Sequence, residues 1–268
     1  MRRSGRLAVR GAELHYETEG TSTTAVVLVH GFALDARMWD DQVEALQDIA
    51  VVVRYDARGF GRSSAPAPAV PYSNSGDLLA LLDHLGVARA LLVGLSMGGQ
   101  IALHTALVAP QRIHGLVLLD SVLDGVDWDR QSVRSMKAID VALNRDGVGA
   151  AKAAWLAHPL FAPARRNEAV AARLAAMVGD YSGFHWTAID PCEPMIPRPI
   201  EVLGRVAVPT SVVLGELDVP CFVTMASLLA KRIPGARLTT VSDAGHMVNM
   251  EAPGIVNAVV REAISTLT

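Results

Sequence analysis

The chain has 268 residues, of which 51% are hydrophobic, and a net charge of -3. That content argues against disorder, and the length suffices for a substantial core in one large α/β domain or two small ones. The mild acidity gives no reason to expect nucleic acid, and no apolar run approaches a membrane span.

Residues Leu7 to Thr18 alternate loosely and read as a two-stranded hairpin turning at Gly11-Ala12. Ala25-Val26-Val27-Leu28-Val29 is a continuous apolar run, the pattern of a strand buried on both faces. It ends at His30-Gly31-Phe32. Val43, Leu46 and Ile49 have helical spacing within Asp41 to Ile49, and Val51 to Tyr55 is the next buried strand. Asp56 to Ser63 follows as a loop, which Asp56 and Arg58 are expected to tie together by a salt bridge or backbone bonds. A helix is predicted from Ser73 to Leu85, with Leu78, Leu81, Leu82 and Leu85 on one face and Ser73 or Ser75 as cap. Strands follow at Ala90 to Val93 and Gly115 to Asp120, with a helix from Ile101 to Val108 between them.

The alternation then breaks. From Ser121 to Ile200 there are helical stretches, clearest at Ala150–Ala157 and Glu168–Val178, and no convincing strand. Pro191, Pro194, Pro197 and Pro199 forbid a continuous helix near the end of this stretch, which suits an extended exit segment. Thr210–Leu214 and Arg237–Val241 resume the strands, and Cys221–Arg232 and Ile255–Leu267 the helices. Such alternation implies a mainly parallel sheet covered on both faces.

The chemistry centres on Leu91 to Gly99, an apolar strand leading into Gly94-x-Ser96-x-Gly98-Gly99. The bare pattern also fits an ordinary glycine-rich turn. The strand before it and the small-residue helix after it favour a nucleophile elbow, in which a strained turn holds the serine Oγ outward. Gly59-x-Gly61 is no dinucleotide loop, because the third glycine and a following helix start are missing. Cys192 and Cys221 lie in no paired motif and read as free thiols, and the histidines show no metal-ligand spacing. The basic start at Met1 to Arg6 has no apolar stretch behind it, so a signal peptide is not expected and a cytoplasmic protein is.

His30-Gly31-Phe32, Asp56-x-Arg58-Gly59-x-Gly61-x-Ser63, Gly94-x-Ser96-x-Gly98-Gly99, Gly215-x-x-Asp218 and Gly245-His246 occur in the order of the α/β-hydrolase superfamily, which the chain resembles over nearly its whole length. Within it, the chain is similar to small bacterial esterases, lactonases and C–C-bond hydrolases. The stretch His30 to Trp39 is especially similar to 3-oxoadipate enol-lactonase-type enzymes. The resemblance implies a mainly parallel eight-stranded sheet flanked by helices, with residues 1–120 and 201–268 forming the core and residues 121–200 a helical cap.

It also implies a catalytic triad of Ser96, His246 and Asp218 in the chain order expected for this fold, with Asp120 as the rival acid. The backbone N–H groups of Phe32 and Met97 are the implied oxyanion donors, and His30 a loop-shaping residue. Leu34, Trp155, Phe161, Phe184 and Trp186 are candidates to line an apolar substrate pocket, with His158 and His185 as polar contacts.

The expected activity is hydrolysis of an ester, thioester or lactone of a small-molecule substrate, with no metal or other cofactor. C–C-bond cleavage by the same triad is the alternative, as is a non-hydrolytic role in ligand binding or biosynthetic cyclisation. Dehalogenase and epoxide hydrolase chemistry are disfavoured, since they use an aspartate where this chain has Ser96. Oligomeric state is left open.

Overall fold

The computed structural model describes residues 2–266. One sheet carries eight strands in the order β1 (Arg3–Val9), β2 (Ala12–Glu19), β4 (Val51–Tyr55), β3 (Ala25–Val29), β5 (Ala90–Leu95), β6 (Ile113–Leu119), β7 (Thr210–Gly215) and β8 (Arg237–Val241). β2 runs antiparallel to both β1 and β4, and every other pairing is parallel. The apolar runs explain the centre of the sheet. Every residue of β3 and β5 is buried, which requires cover on both faces.

That cover comes from helices α1 (Asp40–Leu46), α2 (Asn74–His84), α3 (Met97–Val108), α9 (Pro220–Arg232) and α11 (Pro253–Ser265). α3 packs on β3, β5 and β6 beside α2, while α11 packs on β5, β6 and β7 beside α1. Ser73 caps α2, its Oγ accepting from Gly76 N at 3.1 Å. The expected end of α11 at Leu267 lies outside the described residues, as does Met1.

Between β6 and β7 the described residues contain no strand, only α4 (Arg130–Asp146), α5 (Val148–Leu156), α6 (Glu168–Asp180), α7 (Phe184–Thr187), α8 (Pro199–Val202) and short 3-10 turns. α4 is the longest helix among the described residues, and its apolar residues Val133, Met136, Ile139 and Leu143 recur at helical spacing, although Ser132 and Ile139 are its buried positions. Pro199 starts α8 instead of breaking a helix, since the first turn needs no N–H there. Residues 188–198 are helix-free, and Cys192 bridges to Tyr72 in the loop before α2.

α3 begins at Met97, immediately after Ser96, and runs through the expected Ile101–Val108 stretch. A short helix α10 (Val248–Glu251), also unanticipated, follows the His246 loop. Among the described residues no helix is long and apolar enough to cross a membrane.

Candidate active site

Ser96 joins β5 to α3 with φ 56° and ψ -116°, a left-handed backbone that costs on the order of 1–3 kcal/mol. Three backbone bonds hold it there. Ser96 N donates to Leu119 O at 2.9 Å, and Ser96 O accepts from Gln100 N and Val122 N, each at 3.1 Å. The flanking glycines are steric necessities. A Cβ on Gly98 would strike the Val29 carbonyl, and one on Gly94 the Gly98 carbonyl. The serine is therefore pressed between β3, β5 and the loop after β6. Its Oγ has no hydrogen-bond partner among the described residues, and it lines a cavity of about 870 Å³. In sites without substrate, catalytic hydrogen bonds are often long and tighten only in the complex.

His246 sits in the loop between β8 and α10, and Asp218 in the loop after β7. His246 Nδ1 lies 2.8 Å from Asp218 Oδ2, and Asp218 Oδ1 accepts from Val219 N at 2.7 Å. Glu251 shapes the histidine loop from within α10. Its two carboxylate oxygens accept from Gly245 N at 2.9 Å and Met247 N at 3.0 Å. The Phe222 ring packs 4.3 Å from the imidazole. The bonded Nδ1 leaves Nε2 as the face of the ring available for proton transfer.

Asp120 is fully buried at the end of β6, where Oδ1 accepts from Gly215 N at 2.9 Å. Its Oδ2 has no hydrogen-bond partner among the described residues. Burial first, and the adjacent Asp218 charge second, raise its carboxyl well above the ordinary carboxylate range. Burial and the neighbouring charge thus favour the protonated form of Asp120, whereas the bond to His246 belongs to Asp218. Asp120, Asp218 and His246 also offer atoms within 4.8 Å of one another, a spacing compatible with a metal ion. His246 Nδ1 and Asp218 Oδ2 are already engaged with each other, so acid–base work is the chemistry this donor set suits.

The N–H groups of Phe32, after β3, and Met97, first in α3, donate to no protein acceptor among the described residues. Both residues border the cavity with Ser96. Met97 N opens a helix, where the dipole favours negative charge. His30 is a brace: its Nδ1 meets Gly31 O at 2.8 Å and its Nε2 accepts from Ala57 N at 2.9 Å, fixing the loop that carries Phe32. Asp56 accepts from Ala36 N at 2.8 Å and Arg62 N at 2.9 Å. Arg58 does not pair with it; it reaches Asp77 on α2 instead, at 2.5 and 2.6 Å.

Of the candidate pocket residues, Trp155 lines the cavity, and so do His158 and His185. Leu34, Phe161, Phe184 and Trp186 do not. Leu34 is buried in the core, Phe161 packs edge-on against Trp155 at 5.3 Å, Phe184 sits edge-on to His185 at 5.0 Å, and Trp186 backs Phe32 at 6.0 Å. Burial is the main cause that lowers His158 and His185 to about 4, so both are neutral at pH 7. Leu160 N donates to His158 Nδ1 at 3.1 Å, which leaves Nε2 carrying the proton.

Sequence reasoning missed Gln100 and His104. They follow Ser96 at intervals of four residues, so α3 brings both, with Val108, along the same wall. That spacing was the available signal.

Residues 24–253 match a family described as alpha/beta hydrolase fold. A Bacillus subtilis (strain 168) protein provisionally named 2-succinyl-6-hydroxy-2,4-cyclohexadiene-1-carboxylate synthase is 28% identical, with 92% of each chain covered. Lipase LipV of Mycobacterium tuberculosis (strain ATCC 25618 / H37Rv) is 32% identical over 94% of this chain and 98% of its own. The solved enol-lactonase from Burkholderia xenovorans LB400 is 29% identical and superposes with a TM-score of 0.82, covering 97% of this chain and 100% of that one.

Proposed function

The chain belongs to the α/β-hydrolase fold family and is an enzyme of that family, and from that premise we propose that it is a serine hydrolase acting on a carboxylic ester, thioester or lactone of a small, largely apolar substrate through an acyl-enzyme. One observation carries the reading. A serine held at φ 56° on the cavity wall shares this end of the sheet with a buried histidine whose Nδ1 is bonded to an aspartate at 2.8 Å. The names of the lipase and enol-lactonase relatives support the same bond class.

Ser96 Oγ attacks the carbonyl carbon while His246 Nε2 takes the hydroxyl proton. Asp218 faces the imidazolium that forms and keeps its tautomer and orientation. The N–H groups of Phe32 and Met97 receive the developing oxyanion. As the tetrahedral intermediate collapses, the carbonyl–heteroatom bond breaks and His246 returns its proton to the leaving alcohol or thiol. In a lactone that oxygen stays tethered to the acyl group. Water then gives a proton to His246 and attacks the acyl carbon. Breaking of the Ser96 ester releases the acid, and the proton goes back to Oγ.

The test is turnover of p-nitrophenyl esters of graded acyl length and a set of lactones by wild type and Ser96→Ala. Ser96→Ala is expected to lower kcat by about four orders of magnitude with the thermal midpoint retained. A Ser96→Ala enzyme as active as wild type would sink the reading. Labelling of Ser96 by a phosphonate without turnover of any ester or lactone would overturn the bond class and move the serine to a non-hydrolytic role, as the name of the synthase relative suggests for that protein.

A further inference from the structure

The cavity changes character along its length. Around Ser96 its wall is apolar, with Phe32, Met97, Trp155, Leu160 and Phe222. Further along α3 the wall turns polar, and the polar groups there engage one another. Gln100 Nε2 donates to Asp124 Oδ1 at 2.6 Å, and His104 Nε2 lies 2.7 Å from Asp124 Oδ2. Elsewhere on the wall, the Tyr72 hydroxyl donates to Asp190 Oδ1 at 3.0 Å.

The charge on this wall is lopsided. It holds three carboxylates, Asp124, Asp190 and Glu193, against one guanidinium, Arg198. Arg198 is exposed and already bonded to Glu201 at 2.8 and 2.9 Å. The cavity's other imidazoles add no charge, since His158 and His185 are neutral at pH 7.

We propose that the site accepts uncharged acyl groups and discriminates against acyl groups that end in a carboxylate. This rests on the serine-hydrolase reading above and names its substrate class. A carboxylate entering the cavity gives up its hydration, and only a paired cation or several donors replace that loss. Planar guanidinium forks are the usual means of holding one. Here such a group would meet Asp124 and Asp190, whose nearest donors are committed to them. An uncharged ester or amide end meets no such repulsion, and an alkyl chain finds the apolar wall beside Ser96.

Three p-nitrophenyl esters of matched length test this: the hexanoate, the monoester of adipic acid, and the methyl ester of that monoester. Their kcat/KM values are compared at one pH near 7 and one ionic strength. The expected result is that both uncharged esters exceed the acid at least fivefold. A smaller ratio, or a preference for the acid, overturns the proposal. The methyl ester separates charge from chain length. Absence of Ser96-dependent turnover for all three would count against the serine-hydrolase reading alone. Calorimetric binding of hexanamide and adipamic acid to the wild-type protein then decides the charge question without catalysis. Tighter hexanamide supports the proposal, and equal or tighter adipamic acid overturns it.

Discussion

Asp120 and Asp218 stand beside one another in a buried setting, where two negative charges oppose each other and burial opposes both. The proton that resolves this sits on Asp120, so the two carboxyls have different work. Asp218→Asn is expected to lower kcat about 10⁴-fold, because the histidine loses its orienting anion. Asp120→Asn replaces one neutral group by another of the same shape and should change kcat far less; parity of the two losses would contradict this division. The stability of the Asn variant carries a further sign. The folded protein keeps a proton on Asp120 that the unfolded chain releases above about pH 4. Wild type therefore loses stability as pH rises from about 4 toward the folded value, and Asp120→Asn does not. The thermal midpoint of Asp120→Asn relative to wild type should climb as pH rises above about 4, and a flat difference would refute the assignment. The serine, histidine and aspartate were legible as motifs because their backbone needs leave glycines at fixed spacings. Asp120 was legible only as a rival acid, since protonation depends on burial and on a neighbour 98 positions away in number, at Asp218.

The loop after β4 and helix α2 are joined by a single buried side chain. Arg58 forks onto Asp77 at 2.5 and 2.6 Å, donates to Arg10 O at 2.7 Å, and lies with its guanidinium carbon 4.1 Å above the Tyr72 ring. Arg58→Met would leave the Asp77 carboxylate buried without its partner, at a cost of about 3–5 kcal/mol. Denaturant unfolding measures this, and a loss below about 1 kcal/mol would show that the pair is dispensable. At this scale the apolar runs located β3 and β4 to the residue, because strands buried on both faces need largely apolar stretches. The boundaries of α4 were missed although Val133, Met136, Ile139 and Leu143 carry a helical period, because most of its length is polar and faces solvent. Gly98 and Gly99 could be read from the sequence as the residues that let α3 lie against the sheet, because a Cβ at either would strike a neighbouring element.

Across the molecule, the sheet presents Phe32, Ser96, Asp218 and His246 on loops that follow β3, β5, β7 and β8, at one end where the strand order places them together. The segment between β6 and β7 adds Trp128, Met136, Trp155 and His158 to the cavity wall. The strand-free character of that segment was legible as a break in the strand–helix alternation. Which aromatics of that segment face the cavity was not, because rotation of a short helix is decided by packing partners distant in sequence. Trp155 faces inward, and Phe161, six residues on in a short 3-10 turn (Pro159–Phe161), packs behind it.

The spread of Ser96, Asp218 and His246, the proposed triad, over the chain has a kinetic corollary. Ser96 is posed by contacts among β3, β5, α3 and the end of β6, all formed within the first half of the sequence. Asp218 and His246 reach it only after β7 pairs with β6 across the whole stretch from Leu119 to Thr210, and β8 then adds to β7. Closing so long a loop is an entropic hurdle that local helix formation does not face. On dilution from denaturant, recovered helical signal should therefore precede recovered turnover, with the interval between them reporting the docking of the last two strands.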